Sequence, residues 1–294
     1  PLLAKEGAGE IMERVEWPLG LDRKKAAAAF KAYDIRGIAG DPLTPDFAYR
    51  LGRALATFLD CNSLAVARDI RDSGPALHSS FIDGLTSSGV SVHDLGIMPT
   101  GALYHATVAL PVDGGVVITA SHNPPEYNGF KMLTSAGAFY GEDIQDLGSI
   151  AASGAFASGT GLTEQHSMLE AYVDRVFADY RDGHELHVAW DAGNGSAGQA
   201  MEMLCHRLPG QHHLLNERID GTFPAHHPDP TLPENLVELQ SVVAAENCDL
   251  GIAFDGDGDR IGVVDAKGRI LWGDQLMVLF AKDVLAELPG AEII

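Results

Sequence analysis

Two polar stretches of the sequence each follow an apolar run, and both contain residues that can do chemistry. The first, 119–131, reads T-A-S-H-N-P-P-E-Y-N-G-F-K and follows the strand-like run 115–119. It offers a nucleophile in Ser121, an acid or base in His122, and a cation in Lys131 that can meet a phosphate or move a proton. The two consecutive prolines keep this loop stiff and extended. We therefore expect the Ser121 hydroxyl to be held still at a strand end.

The second stretch, 255–260, reads D-G-D-G-D-R and follows the apolar run 250–254. In a straight strand, carboxylates at alternate positions share one side, but the outer two are about 13 Å apart at a rise of about 3.3 Å per residue. The two intervening glycines let the backbone curl, so that Asp255, Asp257 and Asp259 can converge. Converging carboxylate oxygens predict a Mg²⁺ site.

Other interpretations of these stretches are less favourable. An EF-hand loop needs glycine at its sixth position and glutamate at its twelfth, where this sequence has Arg260 and Ala266. A solvated acidic turn is disfavoured because three like charges this close repel one another without a cation. The loop that carries Ser121, taken alone, could also be a polar surface turn with solvated side chains.

Two further patterns resemble binding sites and are interpreted as structural. The stretch G-N-G-S-A-G at 193–198 fits a dinucleotide fingerprint, and Glu217 follows about twenty residues on. A single fingerprint is a weak signal, and a tight strand-to-helix connection explains the glycines equally well. Two histidine pairs could suggest a transition metal, but adjacent side chains point apart, so we expect polar loop or surface residues. These pairs are His212 with His213 and His226 with His227.

The composition limits the possible partners. The 294 residues suffice for two domains, and 20 Lys plus Arg against 41 Asp plus Glu give a net charge of −21. This charge argues against binding to nucleic acid or to an anionic membrane. An anionic substrate remains possible if the few cations are concentrated at the site, and Arg36, Lys131 and Arg260 all lie inside motifs.

The cysteines and the hydropathy indicate a compartment. Cys61, Cys205 and Cys248 are widely spaced and form no C-x-x-C pair, so we expect buried, reduced thiols. The sequence has no signal peptide pattern and no run of about 18 apolar residues. The prediction is a cytoplasmic protein that does not span a membrane.

Alternating strand-like and helix-like segments predict an α/β fold with mainly parallel sheets. Ligand sites in such sheets lie beyond the carboxyl ends of the strands, which is where Ser121 falls. The predicted strands are 64–67, 90–95, 115–119, 187–190, 250–254, the hairpin 261–265 with 269–272, and the start of a further strand at 291–294. A helix is possible at 9–15. The other predicted helices start with Thr44 as cap and continue at 75–87, 100–109, 168–180, 233–246 and 275–288.

The chain resembles the α-D-phosphohexomutase family in three stretches, which occur in the family's order. They are F-K-A-Y-D-I-R-G at 30–37 and the stretches 119–131 and 255–260 described above. The resemblance runs from about residue 30 to the end of the chain and implies consecutive similar α/β domains with mixed, mainly parallel sheets. The expected divisions are an N-terminal extension at 1–26, a first domain with a phosphoserine loop at 27–162, a second with a metal-binding loop at 163–266, and the truncated start of a third at 267–294. The family has four domains, and the loops that read the sugar and grip its distal phosphate are expected beyond residue 294.

The resemblance also implies an activity, the interconversion of hexose 1-phosphate and hexose 6-phosphate of mannose or glucose. The reaction would pass through a phosphoserine at Ser121 and a hexose 1,6-bisphosphate intermediate, with Mg²⁺ held by Ser121 and the three aspartates. Contacts to substrate or phosphoserine are expected from Tyr33, Arg36, Lys131 and Arg260. Alternatives are a phosphoglucosamine mutase and a non-catalytic fragment that binds Mg²⁺ and sugar phosphate. A monomer is expected.

Proton transfer needs a partner for the sugar hydroxyl, and His122 and Lys131 are the candidates. We favour Lys131, because Arg36 and the metal are expected to lower its pKa. Arg36 is expected to assist catalysis as well as binding, since a guanidinium fork matches phosphate oxygens.

Overall fold

The computed structural model of the chain describes residues 22–135, 137–181, 183 and 185–293. The possible helix at 9–15 and most of the extension predicted at 1–26 lie outside these residues. Among the described residues, helix α1 (Arg23–Ala29) already crosses the predicted boundary at 26, and Ala26 is fully buried in the first core.

The first sheet has eight strands and is mixed. Its path is β2-β1-β6-β5-β3-β4-β8, with β7 paired to β6. The parallel pairs are β1 with β2, β3 with β4, β3 with β5, and β4 with β8, whereas β6 runs antiparallel to β1 and β5. The strands are β1 (Ile35–Ala39), β2 (Pro42–Leu43), β3 (Ser63–Arg68), β4 (Ser91–Ile97), β5 (Gly114–Ile118), β6 (Tyr127–Thr134), β7 (Gly137–Ala138) and β8 (Thr163–Gln165).

Helices cover this sheet. They are α2 (Pro45–Leu59), α3 (Gly74–Thr86), α4 (Thr100–Ala109) and α5 (Glu142–Ser153). Helix α2 begins where the sequence predicts, because the Thr44 side chain accepts a hydrogen bond from the Phe47 N–H at 3.1 Å. It crosses α3 closely enough that a Cβ on Gly84 would lie 2.1 Å from the Tyr49 carbonyl oxygen. The missing side chain therefore sets the spacing of these two helices.

The second sheet has five strands in the order β10-β9-β11-β12-β13. Strand β9 is parallel to both of its neighbours, and β12 is antiparallel to β11 and β13. The strands are β9 (Leu186–Asp191), β10 (Gly210–Leu215), β11 (Leu250–Phe254), β12 (Ile261–Asp265) and β13 (Ile270–Leu271). The helices are α6 (Leu169–Phe177), α7 (Gly198–Cys205), α8 (Val237–Glu246), which follows a 3₁₀ turn at Pro233–Leu236, and α9 (Gly273–Glu287).

The α/β class with mixed sheets is confirmed. Two sheets extend past the predicted divisions: β8 pairs with β4 of the first sheet beyond residue 162, and β13 pairs with β12 of the second sheet beyond residue 266. The strand expected at 291–294 is not formed at 291–293, and residue 294 is outside the described part.

The glycine-rich stretch at 193–198 joins β9 to α7. A Cβ on Gly198 would lie 2.1 Å from the carbonyl oxygen of Glu217, and one on Gly195 would lie 2.8 Å from that of Gly256. Both glycines are thus required by close backbone contacts. Gly195 also brings this turn against the acid loop at 255–260.

Candidate active site

Ser121 lies just beyond the carboxyl end of β5 with its side chain buried. Its φ of 53° is in the left-handed region, which is uncommon for a residue other than glycine. The hydroxyl donates a 2.6 Å hydrogen bond to Asp255 Oδ2, and the backbone N–H donates to Thr119 Oγ1 at 2.8 Å. The structure therefore brings the two predicted motifs together at one hydroxyl.

Arg71 holds the Ser121 loop in place, and it was not among the site residues predicted from the sequence. Its guanidinium is fully buried and forms an ion pair with Asp69, whose Oδ2 also accepts from Thr119 Oγ1 at 2.7 Å. The guanidinium donates to four carbonyl oxygens of the loop, those of Ser121 (2.7 Å), Asn123 (2.7 Å), Pro124 (2.6 Å) and Tyr127 (3.0 Å). The stretch R-D-I-R at 68–71 could have indicated it, because these charged residues come at the end of β3, which pairs with β5.

The acid loop curls as the glycines predict. Asp255 Oδ1 accepts from the backbone N–H groups of Asp259 and Arg260, both at 3.0 Å, which closes the loop on itself. One oxygen from each of the three aspartates lies within 4.8 Å of the others. A Cβ on Gly256 would lie 2.7 Å from the Ser121 carbonyl oxygen, so the two loops are in backbone contact.

Lys131 and Thr100 bind the buried carboxylate of Asp257. Lys131 Nζ lies 2.6 Å from Asp257 Oδ2 and 2.6 Å from Asp259 Oδ2, and Thr100 Oγ1 donates to Asp257 Oδ2 at 2.6 Å. Burial alone would lower the pKa of Lys131, but the two carboxylates outweigh it and raise that pKa. The contacts of Lys131 are aspartates, which oppose the lowering of its pKa that we expect from Arg36 and a metal ion.

The carboxylates are arranged to take a divalent cation. Burial and then the neighbouring aspartates raise the pKa of Asp255 to about 7. Asp257 is buried too, but Lys131 and Thr100 keep its pKa below the usual value. Within the described part of the chain, Asp257 Oδ1 is a buried oxygen that accepts no hydrogen bond. Oxygen ligands with an unpaired buried lone pair fit Mg²⁺.

His122 lies between the hydroxyl and an arginine. Its Nδ1 is 3.3 Å from Ser121 Oγ, and its Nε2 is 3.4 Å from a terminal guanidinium nitrogen of Arg260. Burial and then the charge of Arg260 lower the pKa of His122. Arg36 donates to Asn123 Oδ1 at 2.8 Å and to Asp34 Oδ2 at 2.5 Å.

An open cleft of about 500 Å³ lies between Ser121, Arg36, Lys131 and Arg260. Ser121 lies in its wall, and Tyr33 is 80% exposed at its rim. Its charged lining consists of the cations Lys31, Arg36, Lys131 and Arg260 and the carboxylates Asp34 and Asp259. The volume falls in the usual range for small-molecule sites. Lys31 lies in the stretch 30–37 but was not predicted as a site residue. It gives the lining four cations against two carboxylates, so the cleft does not share the net negative charge of the chain.

The side chains of His212 and His213 point to different partners, and three of the four paired histidines contact another side chain. His212 accepts a hydrogen bond from the Trp190 indole at 3.1 Å, and His226 Nε2 is 2.8 Å from Asp191 Oδ2. His213 lies against His187 of the neighbouring strand, with Cys248 close by. Sequence spacing could not show this contact, because it arises from strand pairing.

The three cysteines are free. Cys205 and Cys248 are buried as expected, whereas Cys61 is only half-buried. Over the described residues, no helix has both the length and the apolar character needed to cross a bilayer.

Comparison with known proteins places both domains in one family. The model for phosphoglucomutase/phosphomannomutase α/β/α domain I matches residues 27–157, and that for domain II matches residues 169–268. A phosphomannomutase/phosphoglucomutase from Pseudomonas aeruginosa is 46% identical over 273 residues, which cover 91% of this chain and 58% of the relative. A phosphoglucomutase from Neisseria gonorrhoeae is 43% identical over 270 residues, covering 90% of this chain and 59% of the relative.

Solved structures agree. A phosphoglucomutase/phosphomannomutase family protein from Burkholderia thailandensis has a TM-score of 0.86 at 42% identity, over 90% of this chain and 60% of the other. A putative phosphomannomutase from Thermus thermophilus has a TM-score of 0.80 at 25% identity, over 88% and 62%. The chain thus spans about three fifths of the length of the proteins that it matches.

Proposed function

Because the chain belongs to the phosphoglucomutase/phosphomannomutase family, we propose that it carries the phosphoryl-transfer half of a phosphohexomutase. The observation that carries this proposal is the 2.6 Å hydrogen bond from Ser121 to Asp255, at the wall of a cleft lined by cations. The reaction is the interconversion of the 1- and 6-phosphates of mannose or glucose, the sugars in the names of the relatives.

Two transfers through Ser121 make up the proposed cycle. In the first, the free hydroxyl of a hexose monophosphate attacks the phosphorus of phosphorylated Ser121. A P–O bond to the sugar forms, the bond to Ser121 Oγ breaks, and hexose 1,6-bisphosphate results. The sugar then reverses its orientation, and Ser121 Oγ takes the other phosphoryl group back. Isomerisation consumes no phosphate.

The proton of the attacking hydroxyl goes to Lys131 or His122, and Ser121 Oγ is reprotonated as it leaves. His122 Nδ1 is already 3.3 Å from Ser121 Oγ, and its lowered pKa favours the neutral imidazole. Lys131 can accept the proton only after the ammonium beside Asp257 and Asp259 has released its own. Either group contributes general acid and base catalysis.

Charge stabilisation comes from the cleft. Arg36 and Arg260 line the space next to Ser121 and can offset charge on the equatorial oxygens of the transferring group. Asp255, Asp257 and Asp259, with Ser121, would hold Mg²⁺. When bound, the ion supplies Lewis-acid stabilisation of phosphoryl oxygens.

Arg71 positions the nucleophile in this scheme. Because it binds four carbonyl oxygens of one loop, the left-handed backbone at Ser121 is fixed before a substrate arrives. Preorganisation of this kind lowers the cost of reaching the transition state.

An isomerase assay tests the proposal. Mannose and glucose 1-phosphates are supplied with Mg²⁺ and a trace of glucose 1,6-bisphosphate, and formation of the 6-phosphate is followed. We expect turnover by the protein that contains this chain and none by its Ser121→Ala variant. Bisphosphate-dependent turnover by the alanine variant would contradict the relay.

A further inference from the structure

Two histidines and a cysteine meet in the second domain, at the end of its sheet opposite the acid loop. His187 lies near the start of β9, His213 lies on the adjacent β10, and Cys248 lies two residues before β11. The Nε2 atoms of the two histidines are 2.7 Å apart, and the ring centroids are 4.8 Å apart. One ligand atom from each of the three residues lies within 4.8 Å of the others.

The backbone fixes these three positions. The Asp249 N–H donates to the His187 carbonyl oxygen at 2.7 Å, and the His187 N–H donates to Asp249 Oδ2 at 2.8 Å. The Cys248 N–H donates to the Val243 carbonyl oxygen at 2.9 Å, and His213 is paired with Ala189 in the parallel ladder. Only side-chain rotations remain to be made for the three groups to share a ligand.

We propose that His187, His213 and Cys248 bind a zinc ion, with Glu246 as the fourth ligand. Two imidazole nitrogens and a sulfur are a ligand set that suits Zn²⁺ and does not suit Mg²⁺ or Ca²⁺. Glu246 ends helix α8, and its Oε2 lies 3.9 Å from His213 Nε2. The site is independent of the proposed mutase function.

The required adjustment is small. Tetrahedral zinc with bonds of about 2.0–2.1 Å to nitrogen and about 2.3 Å to sulfur separates two nitrogens by about 3.3 Å and nitrogen from sulfur by about 3.6 Å. The imidazole nitrogens must therefore part by about 0.6 Å, and the sulfur, within 4.8 Å of them, must approach by up to about 1.2 Å. Rotations about the side-chain χ angles can provide both changes. The His213 side chain is 35% exposed, so an ion can reach the site from solvent.

Bound zinc would stabilise the domain and would take no part in phosphoryl transfer. It would join β9 and β10 to the turn between α8 and β11, and its ligands span positions 187 to 248 of the chain. Cys248 and Asp255 lie beyond opposite ends of β11, whose five residues span about 13 Å at about 3.3 Å per residue. An ion that binds only the folded chain raises its melting temperature.

The test must separate this site from three other groups of possible ligands in the described part of the chain. One is the aspartate cluster, which excess Mg²⁺ occupies. The other two each contain histidine, namely His93, Glu164 and His166 in the first domain, and Asp191, His226 and Glu238 in the second. All measurements are therefore made in a background that carries His166→Ala and His226→Gln, with Mg²⁺ present, using zinc chloride in calorimetry and in thermal melts, and Co²⁺ as an absorbing substitute.

We expect one zinc ion per chain, a higher melting temperature with zinc, and a near-ultraviolet thiolate-to-cobalt charge-transfer band. Cys248→Ser should remove that band and weaken zinc binding by at least about tenfold. His213→Ala should weaken zinc binding to the same extent. The matched controls are Cys205→Ser, a buried thiol outside the cluster, and His212→Ala, the adjacent histidine that binds Trp190 instead. Both should retain binding.

The proposal is overturned if zinc is not taken up, or if Cys248→Ser and His213→Ala bind it as the background does. Circular dichroism shows whether each variant is folded. If Cys248→Ser does not fold, the zinc affinity of His213→Ala relative to His212→Ala decides the question.

Discussion

Ser121 Oγ and Asp255 Oδ2 are 2.6 Å apart, although the two residues are 134 positions apart in sequence and follow strands of two different sheets. The serine O–H is the donor, so phosphorylation would remove that donor and place a dianion beside the carboxylate. A cation must then bridge the two groups. The phosphoserine state and the metal-bound state are therefore expected to occur together.

Replacement of Arg71 by methionine should destabilise the protein. The change leaves the buried carboxylate of Asp69 without its counter-ion and four loop carbonyl oxygens without donors. We expect a loss of about 3–5 kcal/mol in the free energy of unfolding, measured by urea denaturation. Arg175→Met is the control, because its ion pair with Asp179 is exposed and is worth less than about 1 kcal/mol. Equal losses in the two variants would contradict the role of Arg71.

The Ser121 site follows partly from sequence and partly from packing. Ser121 and Asp255 each follow an apolar run of the sequence, which predicts that both lie at strand ends. The glycines of 255–260 predict the curled loop. The role of Arg71 was not predictable, since its partners are backbone carbonyls that have no residue signature. The raised pKa of Lys131 was missed for a related reason, because side-chain direction decides which charges it contacts.

The two sheets were predictable from the alternating segments of the sequence. Their edge strands β8 and β13 were not, because they have only three and two residues.

Two substitutions at Ser121 should differ in stability even though both remove the hydroxyl. At a φ of 53°, alanine retains the strain of the left-handed region, whereas glycine adopts it freely. Ser121→Gly should therefore be more stable than Ser121→Ala by about 1 kcal/mol in urea denaturation. A more stable alanine variant would show that the backbone is not strained at this position.

Lys131→Met should lower kcat by at least about 100-fold, because the substitution removes both a cation and a proton carrier from the cleft. Steady-state isomerase kinetics measure the effect in the protein that contains the chain. The exposed Lys267, in the hairpin between β12 and β13, provides the matched control. A Lys131→Met enzyme that matches Lys267→Met would remove Lys131 from the proposed mechanism.

The pair of His226 and Asp191 should make stability depend on pH. The hydrogen bond to Asp191 raises the pKa of His226 above its ordinary value of 6.5, although burial opposes it. The stabilisation is therefore fully present below about pH 6.5 and is lost as pH rises through the raised pKa. His226→Gln should cost about 1–2 kcal/mol at about pH 5.5 and less at about pH 9. His206→Gln, at an exposed position, should show no such trend, and a pH-independent loss in His226→Gln would contradict the pairing.

Phosphorylation of Ser121 is the most direct test of the central claim. The purified protein is incubated with glucose 1,6-bisphosphate and Mg²⁺ and digested with trypsin, which releases residues 72–131 as one peptide. Fragmentation mass spectrometry then locates any phosphate among the serines of that peptide. We expect one phosphate on Ser121 that disappears when a hexose monophosphate is added. A Ser121 that never takes up phosphate, or one that keeps it in the presence of the monophosphate, would contradict the relay.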